Sequence, residues 1–236
     1  INPITLQNGG TFTDDTTGTY VQSVNAPVTF SNGGTMTSEA GANGFGGFGN
    51  FLFINGINVT GTGLATISAN GMSYNFAQTV TVADSVAGSG TDLLISSSIK
   101  NDRVGLITKA GAGTLTMTGV NVDTSPFAIT GGTLEIGGAG QLNSGTYAGA
   151  VANDGAFVYN SSAAQTMSGV ISGTGTLTKD NTGTLSLSGA NTYSGATAID
   201  GGTLQLGTGG TVGSLNTASA ISVASGATFA VNQTDT

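Results

Sequence analysis

Residues 107 to 137 (ITKAGAGTLTMTGVNVDTSPFAITGGTLEIG) realign onto residues 177 to 207 (LTKDNTGTLSLSGANTYSGATAIDGGTLQLG) without a gap, at a constant offset of 70. Fourteen of the 31 positions are identical, including Lys109/Lys179, Gly113/Gly183, Leu115/Leu185, Asn121/Asn191, Gly132/Gly202 and Leu134/Leu204. Fixed spacing of this kind belongs to architectures in which each unit buries its apolar face only against its neighbours. The chain reads as a repeat protein, and the question becomes which solenoid it builds.

Inside the copies the hydrophobic period is two, as in Thr114-Leu115-Thr116-Met117 and Thr184-Leu185-Ser186-Leu187. Alternation puts Leu115, Met117, Leu134, Ile136, Leu185, Leu187, Leu204 and Leu206 on one face and Thr, Ser, Gln and Glu on the other. Gly pairs such as Gly131-Gly132 and Gly201-Gly202 each precede a Thr-Leu step, where a residue without a Cβ can turn a sharp corner. No stretch carries a helical period, and 41 glycines would penalise a helix by about 1 kcal/mol each relative to Ala. Strand starts recur from Thr114 to Thr133, and again from Thr184 to Thr203, at one and the same interval. That length suits one coil of a parallel β-helix, and the whole chain would then form a single rod of roughly 12 coils, about 55 Å long at about 4.8 Å per coil.

Residues 1–98 follow the pattern loosely and read as divergent coils, with 39–58 as an inserted loop or cap around Phe45, Phe48, Phe51 and Phe53. Residues 99–236 carry the matched units. Because 226–232 (GATFAVN) resembles 155–160 (GAFVYN), the chain is expected to stop mid-repeat. The start, INPITLQNGG, has neither the basic residues nor the apolar run of a signal peptide, which suggests a piece of a longer protein.

Charge narrows the function classes. Only 7% of residues are charged, the net charge is −8, and the first 99 residues contain no Lys or Arg. Nucleic acid and anionic membranes reward basic clusters, so neither is expected as a partner, and no run of 18 apolar residues offers a membrane insertion. With no His and no Cys, the usual nucleophile-base pairs, zinc-thiolate sites and disulfides are out of reach, so neither catalysis nor a cofactor is expected. The 38% of residues that are apolar, placed in regular alternation, favour an ordered core over disorder.

The stretch 171–207 (ISGTGTLTKDNTGTLSLSGANTYSGATAIDGGTLQLG) resembles the autotransporter-associated β-strand repeat of Gram-negative passenger regions and related large surface proteins. Leu177-Thr178-Lys179, Gly183-Thr184-Leu185, Ser188 to Tyr193 and Gly202-Thr203-Leu204 carry the likeness. Residues 107–137 are a degenerate copy in which Val122-Asp123 replaces Thr192-Tyr193 and Pro126 replaces Ala196. The resemblance implies a right-handed parallel β-helix exposed on the outer cell surface. It is consistent with a non-catalytic stalk that adheres to a host-cell or matrix surface or to copies of itself, and it names no ligand.

Each functional candidate has an ordinary structural reading. Lys109 and Lys179 recur just before Gly-rich turns, where a solvated ammonium at a coil corner is expected; an isopeptide crosslink is the sharper alternative. Asn121 and Asn191 are expected to bond turn backbone, and Tyr20, Tyr74, Tyr147, Tyr159 and Tyr193 to pack at corners instead of stacking on sugars. Asp14-Asp15, the one adjacent acidic pair, reads as a solvated turn. Gly44-Phe45-Gly46-Gly47-Phe48-Gly49 meets a dinucleotide pattern but lacks the following helix, and Phe51 stands where a calcium-binding nonapeptide needs a carboxylate. Were an enzyme hidden here, acting for instance on polysaccharide, its site would centre on Glu39 and the Phe cluster. A self-assembling filament or surface-layer subunit is the remaining alternative, since coil ends are open sheet edges.

Overall fold

The computed structural model describes residues 3–14, 22–38, 51–53, 55–74, 77–84, 90–100, 105–210 and 213–234. Among them every strand pair is parallel and no α-helix occurs; residues Asn143–Gly145 form a short 3-10 turn. The described residues wind as a three-faced parallel β-solenoid, and the strand counts that follow are of those residues. Its first face holds eight strands, from Ile4–Gln7 to Ile171–Ser172, and its second holds ten, from Thr11–Asp14 to Ile221–Val223. The third face is built from four strands between Gln22–Val24 and Ile99–Lys100, then five between Thr146–Tyr147 and Thr228–Val231. The Val120↔Gln141 bridge and the Val122 N–H donating to the Ile99 carbonyl join those two parts.

Alternation decides which side chains enter the core. Leu115, Leu134, Phe157 and Leu177 stack in register on the second face, and Leu185 and Leu204 on the third, all at 1% exposure or less. Met117, Ile136 and Leu187 are likewise buried, while Leu206 is half-buried near the last coils. Each fully buried aliphatic side chain contributes about 1.5–3 kcal/mol. Along the N-terminal half the third face is aromatic inside: Phe51, Phe53 and Tyr74 make tilted ring contacts at 6.3 and 6.2 Å, and Phe12 of the second face extends the chain at 5.8 Å from Phe51. Phe51 and Phe53 therefore belong to an ordinary core strand, Phe51–Phe53, whereas Glu39, Phe45 and Phe48 lie outside the described residues.

The coil number is lower than the strand-start interval of the repeat implies. Thr114↔Thr133 and Thr184↔Thr203 do pair at that short interval, but Val28↔Ile57 and Val80↔Lys109 are separated by half as much chain again. More residues lie between stacked positions in the N-terminal coils. About eight turns carry a strand on the first face, with the two final strand pairs extending only the second and third faces, instead of roughly 12 coils. At about 4.8 Å per coil this is a stack of about 40 Å.

The offset of 70 is also not a whole number of coils. Ile107, Phe127, Val151 and Ile171 stack in register on the first face, so three coils carry the chain from position 107 to position 171. The remainder of the offset leads on from Ile171 to Leu177, which is on the second face. So Ile107–Ala110 and Phe127–Ile129 lie on the first face while their counterparts Thr176–Lys179 and Thr197–Ile199 lie on the second, and Thr114–Met117 on the second maps to Thr184–Leu187 on the third. The second copy is the first advanced three coils and turned by one face.

Candidate functional site

The repeated lysines are not solvated. In Ile107–Ala110 the inward residues are Ile107 and Lys109, and in Thr176–Lys179 they are Leu177 and Lys179; the strands run far enough to keep each lysine on the core side of the pleat. Lys109 is 1% exposed and Lys179 fully buried. The Lys109 ammonium donates to the carbonyls of Ala110, Gly111 and Gly131 at 3.1, 2.9 and 3.0 Å. Lys179 donates to those of Asp180, Asn181 and Gly201 at 2.6, 2.8 and 3.2 Å. An ammonium has three N–H donors, and here all three are used. Burial lowers the Lys109 pKa to about 8, with Asp92 opposing, and lowers that of Lys179, with Asp180 opposing. These acceptors are all backbone carbonyls, which is not the lysine-amide-carboxylate arrangement an isopeptide crosslink requires.

The paired glycines shape these corners. Gly132 and Gly202 have φ of 62° and 59°, and a Cβ on Gly202 would lie 2.4 Å from the Asn181 carbonyl oxygen and 2.9 Å from Lys179 Nζ. Only a residue free of a Cβ fits that backbone. Gly113 and Gly183 are kept for a different reason: a Cβ there would come within 2.3 Å of the Ala83 carbonyl oxygen and 2.2 Å of that of Ala163, in the coil below.

Asn121 and Asn191 form a second matched pair. Asn121 Oδ1 accepts from the Ile99 N–H at 2.8 Å, and its amide nitrogen donates to the Gly119 and Gln141 carbonyls. Asn191 Oδ1 accepts from the Ile171 N–H at 2.9 Å and its amide donates to Gly189 and Ser214. Each amide joins three successive coils through backbone, and both of its N–H donors are committed there.

Tyr74, Tyr147, Tyr159 and Tyr193 are buried, so their rings are not presented to a sugar; Tyr20 lies outside the described residues. Burial raises all four phenols, and the Asp123 charge adds to the rise at Tyr74 and Tyr147. Asp14 is 3% exposed at the inward end of Thr11–Asp14, not in a solvated turn, and Asp15 is outside the described residues.

Three buried polar residues are ones that sequence reasoning does not single out. Asp123, raised by burial, accepts from the Ser125 N–H at 2.7 Å. Gln165 pairs with both backbone groups of Leu142 and seals the third face. Asn153 donates to the Thr176 carbonyl, while its Oδ1 is buried without a hydrogen-bond partner. A polar residue at an inward position of an otherwise alternating strand is the signal that marks Gln165 and Asn153. Asp123 lies outside any strand and has none.

Among the described residues no group of three or more His, Cys, Asp or Glu side chains could hold a metal ion, and no helix is long and apolar enough to cross a membrane. The recurring chemistry is backbone capping at coil corners.

Neither the curated proteins nor the solved structures compared with this chain gave a match. A family model did, and over the two segments whose corners have just been described: residues 107–136 and 177–206 each match the passenger-associated-transport-repeat, so the chain carries two copies of that family's repeat.

Proposed function

We propose that this chain is a non-catalytic, right-handed β-solenoid stalk in the passenger region of a secreted protein, held on the exposed side of a Gram-negative outer membrane. It would mediate adhesion, or hold a binding region away from the cell. The observation that carries this reading is what the two repeat copies keep. Turning glycines, core leucines, corner lysines and bridging asparagines persist although the copies occupy different faces of the rod. Selection that holds such positions while the face changes acts on the rod itself, which is what a stalk needs. The near absence of basic residues makes extended neutral surfaces, on a host cell, a matrix or another copy, the fitting partners.

The test is binding of the purified segment to cultured host cells and to matrix-coated surfaces, alongside a hydrolase and lyase screen on glycans and esters with Glu39→Gln as control. Saturable binding without turnover is expected. Turnover abolished by Glu39→Gln would replace the stalk with an enzyme. A solution mass that grows with concentration would favour the filament reading.

A further inference from the structure

The two corner lysines share more than burial. In each, two acceptors are the carbonyls one and two residues on, in the turn that ends the lysine's own strand, and the third is Gly131 or Gly201, in the same turn of the next coil. The set is rebuilt on different corners of the solenoid. Lys109 sits where the first face meets the second, and Lys179 where the second meets the third. Neighbouring side chains differ as well. Lys109 stacks between Val80 and Ile129, whereas Lys179 stacks between Tyr159 and Ile199, with the Tyr159 ring centroid 5.9 Å from its Nζ. Face and neighbours change while the three acceptors stay, so the repeat itself specifies the arrangement.

We propose that each repeat carries a lysine clamp, a buried ammonium held in a cradle of three backbone carbonyls, that fastens its coil to the next one and is completed only when that next coil docks. Until the next coil docks the third N–H faces the open coil end and water; docking buries the ammonium, and the Gly131 or Gly201 carbonyl then supplies the acceptor without which that burial would be costly. Each clamp thus rewards addition of the following coil. The cradle recognises N–H donors on a cation, so shortening the side chain should leave a site for a small alkylammonium ion.

Three measurements test this. In the unaltered protein, nitrogen-detected spectra of the lysine ammonium groups should show two with hydrogen exchange slowed by about a hundredfold relative to free lysine; no slowed ammonium would overturn the proposal. In Lys179→Met, which keeps the apolar stem, the amides of Asp200, Gly201 and Thr203, bonded to the Lys179 and Gly183 carbonyls, should exchange about tenfold faster. Those of Thr130 and Thr133 at the other clamp should change less than about twofold. Unchanged exchange at the first group, or an equal rise at both, would overturn it. In Lys179→Ala, propylammonium chloride should restore protection and tetramethylammonium chloride, which has no N–H, should not; equal effects would refute the cradle. If neither variant folds, the ammonium spectra of the native chain decide alone.

Discussion

The two repeat copies are close in sequence and differ in how they fill the same stretch of interior. In the second copy Tyr193 enters the core and its hydroxyl lies 2.7 Å from the Oγ1 of Thr197, which is itself fully buried. In the first copy the corresponding residues are Asp123 and Phe127. The tyrosine packed against Phe127 is Tyr147, from the next coil, with ring centroids 6.2 Å apart and its hydroxyl donating to the Ser125 carbonyl at 2.5 Å. Residue 217, which corresponds to Tyr147, is Thr. Large and small residues have changed places between coils while an aromatic ring beside the strand is kept. The solenoid tolerates this because interior volume is shared between stacked neighbours, so a residue lost from one coil can be replaced from the adjacent one. The clamp and the asparagine bridge are not exchanged in this way, since their partners are backbone atoms at fixed positions.

The largest test of this equivalence is a buried charge. Leu115→Asp and Leu185→Asp should each cost several kcal/mol, enough to unfold much of the stack, because both leucines are at most 1% exposed. Denaturant unfolding of the two variants should agree; a Leu185→Asp protein that melts like the parent would mean that inside and outside faces are reversed.

Next in size is the corner. Gly132→Ala and Gly202→Ala should cost about 2–3 kcal/mol each, from positive φ and from contact with carbonyl oxygens 2.4 Å away. Thermal unfolding of the pair measures whether one corner design serves both copies, and a neutral substitution at either would break the comparison.

Smaller effects separate the copies. Tyr193→Phe and Tyr147→Phe should each lose about 1 kcal/mol, the first from a side-chain hydroxyl bond and the second from leaving the Ser125 carbonyl without the phenol donor. Asp123→Tyr should destabilise the first copy, where Tyr147 already packs on Phe127, and combining it with Tyr147→Thr should recover part of the loss. Additive effects in that double-mutant cycle would show that the two tyrosines do not compete.

The last effect is on pH. The folded-state pKa of Lys109, about 8, is below its unfolded value of 10.5, so between these pH values the unfolded chain binds more protons and stability rises with pH. The difference between those two values sets an upper limit of about 3 kcal/mol on the rise. Above about pH 10 the sign reverses, because the buried tyrosines are raised and the unfolded chain ionises first. Denaturation midpoints measured from pH 7 to 11 should peak near pH 10, and Lys109→Met should flatten the ascending limb.

Much of this is legible in the residues. Alternation at Leu115, Leu134, Leu185 and Leu204, the Gly-Gly corners, and the pairing of Thr114 with Thr133 follow from local rules that hold wherever a strand is placed. The direction of Lys109 is not legible in the same way, because a charged residue just before a Gly-rich turn reads as part of the turn, and only the length of the strand decides that it points inward. Asp14 differs from its expected place in a solvated turn for the same reason.

What the sequence by itself determined is the unit: which aliphatic residues face in, where the chain turns, and that the unit recurs. The tertiary structure alone decided how many coils the chain makes, the phase of one repeat against the next, and which coil supplies each tyrosine. Those depend on the unequal number of residues per coil, small between Thr114 and Thr133 and large between Val28 and Ile57, and on volume shared between neighbours. An alignment of the two copies reports identity at an offset of 70; it takes the stacking register to convert that offset into three coils and one face.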